Sequence, residues 1–497
     1  MRLFDVLRRT TSCCFLREMK IFYRAILLLL SLSAVLSMYA LTPCERLMQN
    51  DAMQRALVGV HIVDVDTREV LASCNADRAL VPASLVKLFT ATSVMKGYDD
   101  THRWHTLVGY SGQVVDTVLF GDIVVRGSID PSLANSLSLQ PTTTFIDSLL
   151  VAIKRANIRH IRGQIVVDAS VCDMGGWGQW MTEDTGFYYG AACFGANYKG
   201  NEYKLYLRTD SIGTQPQLIG TSMSSPKLQY SNYLTTSTKD CAEVYTTPYT
   251  SQCVLMGTVP ALRDCFSLRC AMPDAPLFMA HDLHQALQEA GVVVDGDPVT
   301  NRILQQEGRS IPCIECLLYA HASDPLGEMV RVMLHKSSNL YAEALLRYVT
   351  LQEDSIASLP EALSCEYDIM EQMSVDTLAI TLTDGSGLSR KNVATPRAIA
   401  SLLVGAYHDI QVGERLMSKL PQAGKDGSVR TFFSRNPLPG TLRVKSGSMG
   451  GVLCYAGYYQ HAGKTYAIVL MSNNHSAKAA VVRSGYERLL RDILGCL

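Results

Sequence analysis

Ser84 and Lys87 are the first residues along the chain whose types and spacing could do chemistry together. They begin a predicted helix after Pro82, and side chains at positions i and i+3 of a helix lie on the same face. A serine hydroxyl is a poor nucleophile near neutral pH unless a neighbouring base takes its proton. A lysine is such a base only when burial or nearby positive charge lowers its pKa. The pair therefore predicts an acyl-transfer site, with free N–H groups of the first helical turn available to stabilise an oxyanion.

A second short motif, Ser337-Ser338-Asn339, lies inside an amphipathic run that predicts helix from Pro325 to Thr350. A Ser-x-Asn triplet is weak evidence alone, because a serine in such a place is most often a simple capping residue.

The third motif, Lys445-Ser446-Gly447-Ser448, lies on an alternating segment that predicts a strand. Gly447 would let a substrate backbone approach this strand closely, because it carries no side chain. Lys445 would supply a fixed positive charge beside the hydroxyl groups of Ser446 and Ser448. The motif therefore predicts a strand that a substrate backbone can approach, with a positive charge and two hydroxyl groups beside it.

In this order the three motifs resemble the signature of the serine β-lactamase and penicillin-binding protein superfamily. The long stretch between Ser84 and Ser337 leaves room for a large insertion that a compact β-lactamase lacks. The chain most resembles the D-alanyl-D-alanine carboxypeptidase/endopeptidase family, the low-molecular-mass class C penicillin-binding proteins. Further segments resemble the same family: Gly121-Asp122, Asp130-Pro131, Ile161-Arg162-Gly163, Ser323 to Leu326, Asp384 to Arg390, Thr395-Pro396 and Leu420 to Gly427.

The resemblance implies the roles of the catalytic residues. Ser84 attacks the carbonyl between two D-alanines, or that of a peptide cross-link, and forms an acyl-enzyme. Lys87 accepts the proton of Ser84. Ser337 relays a proton toward the leaving amine, and Asn339 orients Lys87 and the substrate amide. The resemblance implies no metal and no organic cofactor.

The resemblance also implies the substrate contacts. Lys445, Ser446 and Ser448 hold the terminal carboxylate on the strand that carries Gly447, and the backbone N–H groups of Ser84 and Ser448 form the oxyanion hole. In relatives an acidic residue of the insertion meets the amino group of diaminopimelate in the stem peptide. Asp184 is the best positional match and Glu183 the next, with a plain surface carboxylate as the alternative.

The elements that must position these residues predict a mixed α/β (α+β) fold. Residues 45–105 and 299–497 predict one discontinuous catalytic domain of the β-lactamase/transpeptidase type, an antiparallel sheet flanked by helices. Within it, residues 55–73 predict a half-buried hairpin and residues 442–470 predict two antiparallel strands. Residues 106–298, rich in Thr, Ser, Gly and Tyr, predict a β-rich two-part insertion.

The amino terminus predicts export. Lys20 and Arg24 precede an apolar run, Ala25 to Val35, that is too short to span a bilayer comfortably. Residues 1–37 therefore predict a secretory signal peptide, with cleavage after Ser37 or Ala40, and an uncleaved anchor is the alternative. With the family resemblance this predicts a bacterial periplasmic protein, for which peripheral association with the membrane stays open.

The cysteines fit an exported protein only in part. Of the 15 cysteines in the chain, an odd number lie from Cys44 onward, so at least one thiol there is unpaired or pairs between chains. We expect one or two disulfides, with the other cysteines packed as small hydrophobic side chains. No tight Cys/His set predicts a metal site.

The whole chain has 497 residues, with 45 Lys+Arg against 46 Asp+Glu. This charge balance argues against nucleic acid as a partner, because phosphate binding needs a basic face. The family resemblance implies a serine D-Ala-D-Ala carboxypeptidase/DD-endopeptidase of peptidoglycan stem peptides, with β-lactams as covalent inhibitors. The alternatives are a β-lactamase-like serine hydrolase and an inactive cell-wall-binding module.

Overall fold

The computed structural model describes residues 42–49, 53–173, 179–223, 226, 228–351 and 356–495. The predicted signal peptide, residues 1–37, lies outside them. The helices are α1 (Pro43–Met48), α2 (Val86–Gly97), α3 (Thr144–Arg155), α4 (Thr182–Thr185), α5 (Ala275–Glu289), α6 (Asn301–Gln306), α7 (Leu326–Lys336), α8 (Asn339–Tyr348), α9 (Leu359–Gln372), α10 (Pro396–His408), α11 (Gly413–Lys419) and α12 (Ala479–Leu494).

The strands fall into the two ends of the chain and its middle. The ends contribute β1 (Leu57–Asp64), β2 (Val70–Cys74), β19 (Ile380–Thr381), β20 (Val393–Ala394), β21 (Thr441–Met449), β22 (Val452–His461) and β23 (Lys464–Asn473). The middle contributes β3 (His105–Tyr110), β4 (Gln113–Val115), β5 (Val118–Phe120), β6 (Ile123–Arg126), β7 (His160–Ile161), β8 (Ile165–Asp168), β9 (Glu202–Thr209), β10 (Gln217–Thr221), β11 (Gln229–Asn232), β12 (Thr235–Ser237), β13 (Cys241–Tyr245), β14 (Gln252–Pro260), β15 (Arg263–Ala271), β16 (Val293–Val294), β17 (Val299–Thr300) and β18 (Cys316–Ala322).

The catalytic region is built on a five-stranded antiparallel sheet in the order β2-β1-β23-β22-β21. One face packs against α1 and α12, and the other against α2, α7, α8 and α10. Because helices cover both faces, β1 is buried along nearly its whole length rather than half-buried as its alternation predicts. The segment predicted as two strands forms three, because turns at Gly450-Gly451 and Ala462-Gly463 divide it.

The insertion leaves the catalytic region after α2 and forms two β-rich parts. The first holds a sheet in the order β17-β8-β6-β3-β18 and a smaller one, β16-β7-β5-β4, packed with α3 and α5. The second consists of β10-β9-β15 and a four-stranded group around β14. The predicted fold class is confirmed. The division at residue 298 stays a prediction, although β17 and β18, which follow it, pair with insertion strands β8 and β3.

The cysteine side chains of the described residues are free thiols. All twelve within the described residues are free, so none of the expected disulfides is present there. Half of them are buried, among them Cys253 and Cys270 in the core of the second inserted part, where they pack as small hydrophobic side chains.

Candidate active site

Ser84 lies in a short 3₁₀ turn, Ala83–Leu85, that runs directly into α2. Its side chain is half-buried at the edge of the cleft, while Leu85 beneath it belongs to the core. Ala83 has a φ of 47°, in the left-handed region that costs a non-glycine residue about 1–2 kcal/mol. This strained turn presents the Ser84 hydroxyl at the start of the helix.

Lys87 is fully buried one turn further along the same helix. Its Nζ donates to Ser84 Oγ at 3.0 Å, to Asn339 Oδ1 at 2.7 Å and to the Ser386 carbonyl at 2.5 Å. Burial lowers the pKa of Lys87 to about 7, against the negative charges of Asp384 and Glu343, which raise it. A lysine in this state can be neutral near pH 7 and can take the serine proton.

The predicted helix 325–350 is broken at Ser337. This residue has φ 56° and ends α7, and Ser338 then caps α8, where its hydroxyl accepts from the Tyr341 N–H at 3.4 Å. The break turns the Ser337 side chain to Lys445, whose Nζ donates to Ser337 Oγ at 2.9 Å. The prediction of one continuous helix was wrong because apolar periodicity does not register a single left-handed residue.

Lys445 is fully buried on β21 and also donates to the Ser446 carbonyl at 2.5 Å. Burial, with a contribution from nearby Lys87, holds the pKa of Lys445 well below its usual range. Burial therefore disfavours the charged form of Lys445. A carboxylate bound beside it would favour the charged form.

β21 is an edge strand that packs directly against the nucleophile turn. A Cβ on Gly447 would lie 2.6 Å from the Pro82 carbonyl oxygen and 3.2 Å from the Ser84 nitrogen, so only glycine allows this approach. Ser446 Oγ lies 2.6 Å from Ser428 Oγ, and Ser448 is exposed. The free edge of such a strand can pair with an extended peptide.

Sequence reasoning matched Asp384 to Arg390 to the family but gave this loop no role, and the structure shows that it presents the Ser386 carbonyl to Lys87. Asp384 holds this loop together by accepting from the N–H groups of Gly387 and Ser389, both at 2.7 Å. It also accepts from Asn392 Nδ2 at 2.9 Å. The Asp-Gly-Ser-Gly run could have indicated a tight turn beside the site.

Two more residues that sequence reasoning did not assign support the same loop. The fully buried Glu343 accepts from the Gly385 N–H at 3.1 Å, and burial raises its pKa to about 7. Trp180, from the insertion, donates its indole N–H to Asp384 at 2.9 Å. The insertion thus contacts the loop that holds the lysine.

Asp184 lies in the single-turn helix α4 and is half-buried, whereas Glu183 beside it is exposed. Asp184 Oδ1 accepts from the Tyr189 hydroxyl at 3.2 Å, and the Tyr189 carbonyl accepts from Asn339 Nδ2 at 2.8 Å. Burial raises the pKa of Asp184, while Tyr189 and Arg390 oppose the rise. Asp184 is therefore connected to the Ser-x-Asn motif through one tyrosine.

The structure thus brings most of the predicted residues into one cleft. Ser84, Lys87 and Asn339 form one hydrogen-bonded group, and Ser337 with Lys445 forms another beside it. Within the described residues, no cluster of three or more His, Cys, Asp or Glu side chains could hold a metal ion. The arrangement has the groups that a serine acyl transfer needs: a nucleophile, a buried base and a second hydroxyl.

The sequence profile of the D-Ala-D-Ala carboxypeptidase 3 (S13) family matches residues 42–491. The chain belongs to this family. Within it, D-alanyl-D-alanine carboxypeptidase DacB of Haemophilus influenzae is 25% identical over 428 residues, covering 84% of this chain and 86% of that protein. The S13 assignment confirms the family that the motifs predict.

Solved structures show the same fold for this S13 protein. The crystal structure of penicillin binding protein 4 from H. influenzae superposes with a TM-score of 0.77 at 22% identity, covering 92% of this chain and 99% of that one. A structure of the same relative complexed with a β-lactam gives 0.72 at 23% identity, covering 90% and 99%. No helix in the described ranges combines the length and apolar character needed to cross a membrane.

Proposed function

We propose that this S13 family member is a penicillin-binding serine D-Ala-D-Ala carboxypeptidase with DD-endopeptidase activity on peptidoglycan. The observation that carries the proposal is the contact between Lys87 Nζ and Ser84 Oγ at 3.0 Å, with burial holding the lysine pKa at about 7. A serine and a base in this state are the nucleophile and the proton acceptor that formation of an acyl-enzyme needs.

The first step is attack on the carbonyl of a D-alanine. Neutral Lys87 takes the Ser84 proton as the Oγ–carbon bond forms. The backbone N–H groups of Ser84 and Ser448 would receive the oxyanion, and each such donor contributes on the order of 10²–10³ in rate. The C–N bond then breaks and the amine leaves with a proton relayed through Ser337. Water releases the acyl group and restores Ser84.

Recognition of the substrate end falls to β21. Its open edge would pair with the peptide backbone, and Lys445, Ser446 and Ser448 would hold the terminal carboxylate. The carboxylate would in turn favour the charged form of Lys445 and so oppose the effect of burial, which lowers the pKa of this lysine. A peptide with a free terminal carboxylate should therefore bind to β21 more tightly than a peptide without one.

A second charged pair, Asp184 and Arg390, lies near the active site, and we assign it to the half of the substrate that stays on Ser84 as the acyl group. Asp184 and Arg390 lie close enough for the guanidinium to lower the pKa of the carboxylate, and Arg390 also donates to the Gly450 carbonyl at 3.3 Å. A carboxylate and a guanidinium together suit a free amino acid end, with its amine and its carboxylate. Such an end occurs at the side-chain terminus of diaminopimelate in a stem peptide.

These substrates lie outside the inner membrane, so we propose that the protein is exported and acts in the periplasm. β-Lactams mimic the D-Ala-D-Ala end, and the H. influenzae relative has been crystallised with one. They should therefore acylate Ser84.

The test is the intact mass of the protein after incubation with benzylpenicillin, for the wild type and for Ser84→Ala. The proposal predicts a stable one-to-one adduct in the wild type and none in the variant. Rapid drug hydrolysis without an adduct would indicate a β-lactamase-like hydrolase. If neither an adduct nor drug hydrolysis is observed, the protein is an inactive wall-binding module.

A further inference from the structure

A pocket of about 320 Å³ lies between the insertion and the Ser-x-Asn loop. Lys336 to Asn339 form its wall on the catalytic side, and Tyr188 and Arg269 are among the residues on the insertion side. We call it the Tyr188 pocket. Its volume is at the lower end of ligand sites, which span about 300–1,000 Å³.

The Tyr188 pocket lies beside the group formed by Ser84, Lys87 and Asn339. Tyr189 lines the pocket, its hydroxyl donates to Asp184, and its carbonyl accepts from Asn339. Neither Asp184 nor Ser84 lines the pocket, whereas Ser337 does. A group that enters here therefore lies next to the residue that protonates the leaving amine.

The charges of the pocket favour an anion. Lys336 is exposed at the end of α7 and makes no salt bridge in the described part of the chain. Arg269 is held in place, with its guanidinium 3.6 Å from the centre of the Tyr188 ring and 2.6 Å from Glu202. Two cations against one carboxylate leave the pocket with an excess of positive charge.

We propose that the Tyr188 pocket binds the leaving strand of a cross-linked substrate, the second stem peptide whose amine is released when the acyl-enzyme forms. This rests on the proposed function. As the amide C–N bond breaks, the Ser84 proton is on Lys87 and the departing amine receives its proton through Ser337. A leaving D-alanine ends at its own carboxylate, which Lys445, Ser446 and Ser448 would hold in the proposed mechanism. A leaving stem peptide continues into the pocket and brings its own carboxylates to Lys336.

The experiment compares two purified substrates, a disaccharide pentapeptide and a cross-linked tetrapeptide dimer, with product formation followed by chromatography. Lys336→Glu reverses the pocket charge, and Arg269→Ala removes the cation stacked on Tyr188. Lys239→Glu, an exposed lysine between β12 and β13, is the matched control. Benzylpenicillin acylation is measured in each variant.

The inference predicts that Lys336→Glu lowers kcat/KM for the dimer about fivefold relative to the pentapeptide, mainly through KM, as expected for reversal of one exposed binding charge. Arg269→Ala should change the same ratio by a smaller factor, and Lys239→Glu should leave it unchanged. An unchanged ratio in both pocket variants, or a wild type that cleaves only the pentapeptide, would overturn the inference. A wild type that cleaves neither substrate and is not acylated would instead refute the proposed function.

Discussion

Lys87 and Lys445 are two fully buried lysines in one cleft, and their surroundings differ in a way that separates their roles. Lys87 lies near the carboxylates of Asp384 and Glu343, which offset part of the cost of burial and leave its pKa at about 7. Lys445 donates only to neutral oxygens of Ser337 and Ser446 in the described contacts, and its pKa falls well below the usual range. The comparison teaches that burial lowers the pKa of both lysines, and that only Lys87 has nearby carboxylates that raise its pKa back toward neutral pH.

The largest effect should come from removal of the tuned lysine. Lys87→Ala should slow benzylpenicillin acylation about 10³-fold, within the range for loss of a general base, because Ser84 then lacks a proton acceptor. The time course of adduct mass measures this. Lys464→Ala, an exposed lysine at the start of β23, should acylate at the wild-type rate. Acylation of Lys87→Ala at the wild-type rate would show that Lys87 is not the base that takes the Ser84 proton.

A smaller effect, dependent on the substrate, should come from the second lysine. Lys445→Ala should lower kcat/KM for a D-Ala-D-Ala peptide about 10²-fold, because a buried charged partner of the carboxylate is lost. The matched substrate is the same peptide as its methyl ester, for which only a few-fold loss is expected. Equal losses for acid and ester would contradict a role in carboxylate binding.

The tuning itself can be tested at Glu343. Glu343→Gln keeps an oxygen for the Gly385 N–H but removes a negative charge that raises the pKa of Lys87. Where Glu343 is ionised in the wild type, the pKa of Lys87 should fall in the variant, so more of the lysine is neutral near pH 7 and the acidic limb of the acylation profile should move to lower pH. Rates of acylation between pH 5 and 9 measure this. A limb that stays in place, or moves to higher pH, would show that Glu343 does not tune the lysine.

The smallest effect is expected from a substitution in the insertion, at Trp180, and it concerns the stability of the protein. Trp180→Phe removes the indole N–H that reaches Asp384, and a hydrogen bond to a charged group is worth about 1.5–3 kcal/mol. The free energy of unfolding, measured by urea denaturation at pH 7, should fall by about that amount. The hydrogen bonds of Lys87 to Ser84, Asn339 and Ser386 do not involve Trp180. Trp104→Phe is the comparison, because Trp104 stacks on Tyr348 and not on the loop. An unchanged stability in Trp180→Phe would show that the insertion does not support the loop.

The sequence was sufficient to predict contacts between side chains that lie close together along the chain. Ser84 and Lys87 are one helical turn apart, so their contact follows from helix geometry. Ser337 and Lys445 could be assigned only through the order of the motifs, because they are far apart in sequence. The contact of Asp184 with the site required Tyr189, whose linking carbonyl carries no sequence signal.

The residues that tune Lys87 could not be predicted for a physical reason. The Ser386 partner is a backbone carbonyl, and Glu343 in sequence is one more polar residue on an amphipathic helix. The left-handed turn at Ser337 leaves the apolar periodicity on both sides intact, so the helix break is invisible to the pattern. Fold class depends on such patterns and was predicted, whereas local backbone geometry does not follow from them.

The most direct test of the account is the pH dependence of benzylpenicillin acylation in the wild-type protein. If burial makes Lys87 the base, the second-order rate constant should rise with pH around a midpoint of about 7, and Ser84→Ala should give no adduct at any pH. A midpoint near 10, the ordinary range of a lysine, would contradict the account. So would a rate that does not change between pH 5 and 9.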